Sequence, residues 1–393
     1  MKNNIGIVGG GQLGRMLAFD AKRMGFTVRV VDPTPNSPAG QVVDEQVLGD
    51  YVDKAAIRKL AEVSDYLTFE IELANAVLLD ELSAKGLQVN PSAKTLTLIK
   101  DKLSQKEFLQ KAGILVAEFA NVIASNSEAI PKRLAPPIAS VARKDVLRAA
   151  KNFGYPFLLK ARFDAYDGRG NVLIRKEKDI NAGLEKLKGR KLYVEKFVPF
   201  VKELAVIVAR NAKGEIATYP VVETIHKNNI CHIVIAPAQV SPQIKNQAKR
   251  LAIKTMRHLK GAGVFGIEMF LTKDNKVLIN EIAPRVHNSG HYTTEACVTS
   301  QFEQHIRAIT GMPLGSTAMR APAAVMVNIL GDRVGKAEVT GMEKALSIQN
   351  VFVHIYGKSE TKPERKMGHI TVVGESVEEA MKKARLARKY ISI

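Results

Sequence analysis

The sequence predicts a fold of mixed α/β and α+β class, and three observations carry that expectation. Residues 1–90 alternate strand-like and helix-like patterns, the signature of a parallel α/β unit. Strand-like runs between residues 157 and 210 then succeed one another in a largely antiparallel pattern. Finally, Phe265–Leu271 and Lys276–Ala283 read as a hairpin turned at Asp274-Asn275.

In order, the first unit holds Ile5–Val8, a helix from about Gln12 to Met24, Thr27–Val31, a helix near Lys54–Val63, and Tyr66–Phe69. A helix rich in Lys, Leu and Glu runs from about Ser92 to Ala112. Glu118–Arg148 contains Pro131, Pro136 and Pro137 and reads as an irregular connection ending in a helix that stops at Gly154-Tyr155-Pro156. The antiparallel strands are Phe157–Ala161, Val172–Arg175, Leu192–Phe197 and Glu203–Arg210, and α+β structure continues to about residue 330. Thr361–Glu364 interrupts the last stretch, which ends in a helix near Val377–Lys389.

Composition bounds the function. A chain of 393 residues has room for two or three domains, and 46% hydrophobic with 25% charged residues is the usage of a soluble globular protein. No apolar run reaches the length of a membrane span, and the first strand starts too early for a leader, so no membrane partner and a cytoplasmic location are expected. Only Cys231 and Cys297 are present and neither has metal-ligand spacing around it, so neither a disulfide framework nor a zinc site is indicated. The net charge of +19 suits nucleic acid or small polyanionic substrates. Aromatic residues at 6%, no tryptophan and an even spread of basic residues disfavour nucleic acid.

The hairpin carries the first chemical signal. Across a two-residue turn, Glu268, six residues before Asp274, faces Glu281, six after Asn275. Like charges placed opposite each other are destabilising, so a cation belongs between them, and hard oxygen ligands suit magnesium bridging nucleotide phosphates. The alternative is a pair of solvated glutamates.

Five further motifs stand out. Gly9-Gly10-Gly11-Gln12-Leu13-Gly14 follows a strand and opens a helix, with Asp32 ending the next strand, which on pattern alone is a dinucleotide fingerprint. The same amides serve any phosphate or carboxylate, or simply make a tight turn. Lys160 to Asn171, with Gly168 and Gly170, reads as a flexible lid over a nucleotide, with Lys160 as a point charge, or as a polar hairpin tip. Glu195-Lys196-Phe197-Val198 offers backbone groups to an adenine edge and Glu203 a carboxylate to ribose, although alone these are ordinary strand residues. Asn280 to His291 is the densest polar cluster and brings Arg285, His287 and Asn288 out beside the paired glutamates. Near the C-terminus, Lys358, Lys362, Arg365 and Lys366, shaped by Gly357 and Pro363, read as a phosphate clamp or a solvated basic loop.

Taken in this order, the elements resemble the ATP-grasp ligases, and closely the 5-(carboxyamino)imidazole ribonucleotide synthase family of purine biosynthesis. The resemblance rests on Gly9–Met16, Thr68–Glu72, Tyr166–Asn171, Ile235–Val240, Phe265–Glu268, Asn280–His291, Tyr356–Lys358 and Arg365–Lys366, and it spans nearly the whole chain. It implies an ATP-grasp fold in three parts: a Rossmann-like domain over 1–100, an ATP-grasp domain over 101–325 with a lid near 130–200, and a small C-terminal domain over 326–393. ATP would be held by Lys100, Lys160, Ala165, Tyr166, Asp167, Gly168, Arg169, Gly170, Asn171, Glu195, Lys196, Phe197, Val198, Glu203, His226, Asn280 and Glu281. Magnesium would fall to Glu268 and Glu281.

The resemblance assigns the first glycine loop to the ribonucleotide rather than to NAD. Gly11, Gln12, Leu13, Glu70, Glu72, Arg285, His287, Asn288, Lys358, Arg365 and Lys366 would meet that substrate, 5-aminoimidazole ribonucleotide, with bicarbonate as co-substrate. Tyr166, Asp167, Arg169, Arg285 and Lys358 would serve catalysis. It also implies a homodimer and functional coupling to a separate mutase acting on the product. Ala165 replaces a commoner glycine, Asn171 a glutamine and Gln239 an arginine, and the Glu118–Arg148 connection is longer than usual. The competing readings are a formate-dependent glycinamide ribonucleotide transformylase or biotin-type carboxylase of the same superfamily, an NAD-dependent oxidoreductase, and a basic nucleic-acid-binding protein. The oxidoreductase reading leaves Glu268 and Glu281 unexplained.

Overall fold

The computed structural model describes residues 2–122, 138–164 and 170–393. The expected lid tip, Ala165 to Arg169, and residues 123–137 of the proline-containing connection therefore lie outside the described residues.

The first unit is a five-stranded parallel sheet in the order Glu45–Leu48, Thr27–Asp32, Asn4–Val8, Tyr66–Phe69, Gln88–Val89. Its central strands are apolar on both faces because helices cover both. The short edge strands and the helix Ala76–Ala84 are absent from the sequence reading. Glu45–Leu48 has only one buried residue, so its pattern is too weak to register.

The expected helix from Ser92 to Ala112 is two helices, Ala93–Lys100 and Lys102–Lys111. Asp101 breaks it: its backbone is extended, its carboxylate accepts from the amides of Leu103 and Ser104, and Arg162 pairs with it. The break turns the second helix so that Lys102 and Lys106 point inward, both less than a tenth exposed.

Phe119–Asn121, Leu192–Lys196, Phe157–Ala161 and Asn171–Ile174 make a four-stranded antiparallel sheet. The helices Ile138–Phe153 and Asp179–Lys186 share its core. A nine-stranded sheet forms the centre of the molecule. Its strand Phe200–Arg210 alternates cleanly: Leu204, Val206 and Val208 join the core that includes helix Pro242–Leu259, while Ala205, Ile207 and Ala209 join the core shared with helices Gln301–Thr310 and Gln12–Arg23. One apolar core therefore ties the first unit to the central sheet.

Strand Ala323–Leu330 pairs with Ile230–Ala236 on one side and Lys366–Gly374 on the other. The boundary expected at residues 325/326 falls inside this strand, and the sheet runs unbroken into the C-terminal part.

Candidate active site

The parallel sheet reverses its winding between Asn4–Val8 and Tyr66–Phe69, and ligands bind in α/β sheets at the carboxyl ends of strands flanking such a point. Gly9 leaves the first of these strands with φ of +104°, a conformation open to glycine. The amides of Gly11 and Gly14 donate to Glu70 at 2.6 and 3.0 Å, and that of Gly10 donates to Asp32 at 2.8 Å. The donors that the fingerprint offers to a pyrophosphate are thus held by two of the protein's own carboxylates. Burial pushes the Glu70 carboxyl up, and the two amides pull it back only in part. Gln12 opens the helix, and Leu13 is buried in the core.

Glu72, two residues on, meets Arg285 at 3.2 Å and Lys102 at 3.7 Å. Lys102 also pairs with Glu281 at 3.3 Å. Sequence reasoning missed Lys102 and chose Lys100, whose ammonium donates to the Ala74 carbonyl at 3.3 Å. The available signal was Asp101, a helix N-cap residue followed by lysine at the first helical position.

Glu268 and Glu281 are opposite each other, by a different route from the one the turn implied. The loop has three residues, with Thr272 N donating to Lys276 O and Asn275 in a left-handed conformation. Next to it, Leu271, Phe270 and Met269 pair with Val277, Leu278 and Ile279, one residue out of the expected register. A bulge at Asn280 absorbs the offset and restores the Glu268–Glu281 pairing. His287 Nε2 lies 3.4 Å from Glu268. Burial first, and then the charge of Glu281, raise Glu268 to about 7. For Glu281 burial also raises the pKa, but Lys102 and Lys160 outweigh it and hold the group below the ordinary carboxylate range.

These two hard oxygen donors fit magnesium: a divalent cation between them would offset the burial and the repulsion that raise the Glu268 pKa. Among the described residues no three His, Cys, Asp or Glu gather as a metal cage. Such a donor set suits an ion that takes its other ligands from phosphates and water.

On the antiparallel sheet, Glu195 is 2% exposed and lies between two lysines, Lys106 at 2.8 Å and Lys160 at 3.0 Å. Its side chain is committed to this cluster. Lys196 pairs with Glu118 at 2.5 Å, Phe197 is exposed, and the Val198 carbonyl accepts from Phe200. Asn171 pairs in register with Lys160, and Gly170 turns into that strand at φ of +86°. Glu203 and His226 hydrogen-bond to each other; burial disfavours the imidazolium, but Glu203 outweighs it and raises the His226 pKa.

The run after the hairpin is fixed from behind. Gln301 accepts from the His287 amide at 2.9 Å and donates to its carbonyl at 2.8 Å. A Cβ at Gly266 would stand 2.5 Å from the His287 Cβ, so glycine is needed for this approach. Burial, then Arg285, keep the His287 imidazole well below its ordinary pKa and hence neutral. Asn288 and Asn328 exchange side-chain hydrogen bonds at 3.0 and 2.7 Å.

The C-terminal motif joins the first unit, since the Gly357 carbonyl accepts from Gln41, which Arg15 also holds. Lys358 donates to the Lys366 carbonyl at 2.6 Å, and Arg365 to that of Glu360 at 2.7 Å. Lys366 belongs to the strand Lys366–Gly374 rather than to a loop. Gln239, at a position where arginine is commoner, turns back onto the Pro237 carbonyl.

Comparison with known proteins gives this arrangement a family. Residues 1–100 match the ribonucleotide synthetase preATP-grasp domain, 132–302 the ATP-grasp domain, and 324–383 the phosphoribosylaminoimidazole carboxylase C-terminal domain. The N5-carboxyaminoimidazole ribonucleotide synthase of Bacillus subtilis is 42% identical over 376 residues, 95% of this chain and 92% of that protein. The chain belongs to the N5-carboxyaminoimidazole ribonucleotide synthase family.

Crystal structures of this synthase family agree. That from Thermotoga maritima is 47% identical with a TM-score of 0.86, covering 99% of both chains. The Aspergillus clavatus synthase, solved with ADP and 5-aminoimidazole ribonucleotide, is 38% identical with a TM-score of 0.88, covering 99% of this chain and 98% of that one. Fungal and plant relatives named phosphoribosylaminoimidazole carboxylase are longer, and the chain spans about two thirds of their length. The family's ATP-grasp fold, with its preATP-grasp and C-terminal domains, is the fold expected from sequence.

Proposed function

We propose that this chain carboxylates 5-aminoimidazole ribonucleotide with bicarbonate, converting ATP to ADP and phosphate and giving N5-carboxyaminoimidazole ribonucleotide for purine biosynthesis. The observation that carries the reading is the charge chain from Glu72 through Lys102 to Glu281. It joins the end of the parallel sheet, where the ribonucleotide would bind, to the paired carboxylates, where the nucleotide phosphates would lie.

Bicarbonate would attack the γ-phosphorus of ATP, releasing ADP and forming carboxyphosphate, which breaks down to carbon dioxide and phosphate. The exocyclic amine would take up the carbon dioxide and lose a proton. Lys160, Lys102 and Arg285 would offset charge on the transferring group. Magnesium, held by Glu268 and Glu281, would supply the remaining positive charge at the phosphates. Neutral His287 and Asn288, both fixed from behind, would orient the reacting end without adding charge. Lys358 would act at the amine with Asp167, and Lys358, Arg365 and Lys366 would bind the ribose phosphate. Tyr166, Asp167 and Arg169 would confine the unstable intermediate.

A homodimer, a cytoplasmic setting and coupling to a separate mutase complete the proposal. In support of a non-membrane setting, no helix among the described residues is long and apolar enough to cross a membrane. ADP release with ATP, magnesium and bicarbonate, measured with and without 5-aminoimidazole ribonucleotide, tests the reading. Strong stimulation with an acid-labile carbamate is expected, and turnover indifferent to the ribonucleotide would overturn it.

A further inference from the structure

Lys106 takes no part in the proposed chemistry, yet it is 2% exposed and carries an ammonium into the interior beside the nucleotide site. Such a lysine needs a partner, and it has Glu195 at 2.8 Å. Glu195 is equally buried and is shared with Lys160 at 3.0 Å. Three segments meet here. Lys106 comes from the helix Lys102–Lys111, Lys160 from the strand Phe157–Ala161 and Glu195 from the neighbouring strand Leu192–Lys196. Leu158 is the register partner of Glu195, so Lys160, two residues on, shares its face of the sheet.

The arithmetic of charge is the point. One carboxylate and one ammonium would cancel, and Lys160 would then attract a phosphate weakly. With Lys106 added, the cluster carries one positive charge in excess. Glu281, a further carboxylate acting on both lysines, is itself paired with Lys102.

We infer that Lys106 is a positioning residue that neutralises Glu195, so that Glu195 aligns Lys160 while the charge of Lys160 stays available to a nucleotide phosphate. This rests on the proposed placement of ATP at Lys160. Glu195 fixes direction, Lys106 restores charge, and neither needs to touch the ligand.

Charge arithmetic makes the test specific. Lys106→Met leaves Glu195 to cancel Lys160. The excess charge beside the phosphate is then lost, and MgATP affinity by calorimetry should fall roughly tenfold to a hundredfold. The KM for ATP should rise with it while the KM for 5-aminoimidazole ribonucleotide holds. The double variant Lys106→Met with Glu195→Gln removes both charges, restores the excess on Lys160 and should recover affinity to within about threefold of the parent. It also removes the buried carboxylate that Lys106→Met leaves with one partner instead of two, so it serves if the single variant does not fold.

A double variant that binds as weakly as Lys106→Met, or a folded single variant that binds like the parent, overturns the inference. Lys160→Met separates the two levels: if it binds MgATP as tightly as the parent, the placement of ATP at Lys160 has failed instead.

Discussion

Replacing Glu70 by alanine tests whether the glycine loop is an internally capped turn or an open anion site. The carboxylate, 8% exposed, accepts from the amides of Gly11 and Gly14 at 2.6 and 3.0 Å. Leaving a buried donor unsatisfied costs about 1–3 kcal/mol. Gly14 is buried and should incur that cost in full, whereas Gly11 is partly exposed and can turn to water, so Glu70→Ala should destabilise by about 1–3 kcal/mol. Glu70→Gln keeps one acceptor oxygen but points an NH₂ at the other amide, and should lose about half as much. The protein has no tryptophan, so urea unfolding is best followed by far-ultraviolet circular dichroism. A Glu70→Ala variant within about 0.5 kcal/mol of the parent would refute the capping argument, because surface changes are of that size. The loop amides would then be free to hold a ligand, as the fingerprint alone suggested.

Other outcomes follow from the same geometry. Glu281→Gln should abolish ATP turnover and leave the circular dichroism spectrum intact; full activity would remove the magnesium assignment. Lys102→Met should lower kcat/KM by at least about tenfold, the scale of a lost charge-assisted contact, whereas Lys100→Met should change it by less. Equal losses in steady-state assays would count against the contacts described. Arg365→Ala should raise the KM for 5-aminoimidazole ribonucleotide far more than that for ATP, and parallel increases would argue against a phosphate clamp. Glu195 titrates near 2 because, although burial raises its pKa, Lys106 and Lys160 outweigh burial. With the folded value below the unfolded one, its stabilisation is present above the ordinary carboxylate range and is lost as pH falls from about 4.5 toward 2. Lys106→Met should therefore move acid unfolding to higher pH, and an unchanged midpoint would contradict that coupling.

Much of the first unit was legible because its buried strands and amphipathic helices repeat at periods that sequence displays directly. What was lost is informative. The hairpin glutamates were paired correctly from an incorrect turn: a three-residue loop shifts the register by one, and the bulge at Asn280 shifts it back. Nothing in the local pattern announces such a bulge, since Leu278 to Ile282 reads as uninterrupted strand. Lys102 and Lys106 were hidden for a different reason. In a helix scored as continuous they look like solvated lysines, and only the break at Asp101 and the carboxylates Glu281 and Glu195, distant in sequence, make their burial possible. The fingerprint misled because it specifies where amides point and not what accepts from them, and Glu70 lies 56 residues from Gly14.

These long-range partners also constrain how the site works. Arg285 and Lys102 share Glu72, Lys102 reaches Glu281, Lys160 and Lys106 share Glu195, and His287 stands against Glu268. Each of these side chains has a partner of opposite or titratable charge, so an entering phosphate exchanges partners rather than meeting an isolated charge. Exchange keeps the desolvation cost low on both sides of the event, because a buried ion is never left alone. It also means that affinity depends on small surpluses of charge. Removing one partner shifts the balance for every group that shares it, and substitutions at Glu72 and Lys102 should therefore be non-additive, whereas either combined with Arg365→Ala, at the proposed phosphate clamp and sharing none of these partners, should add.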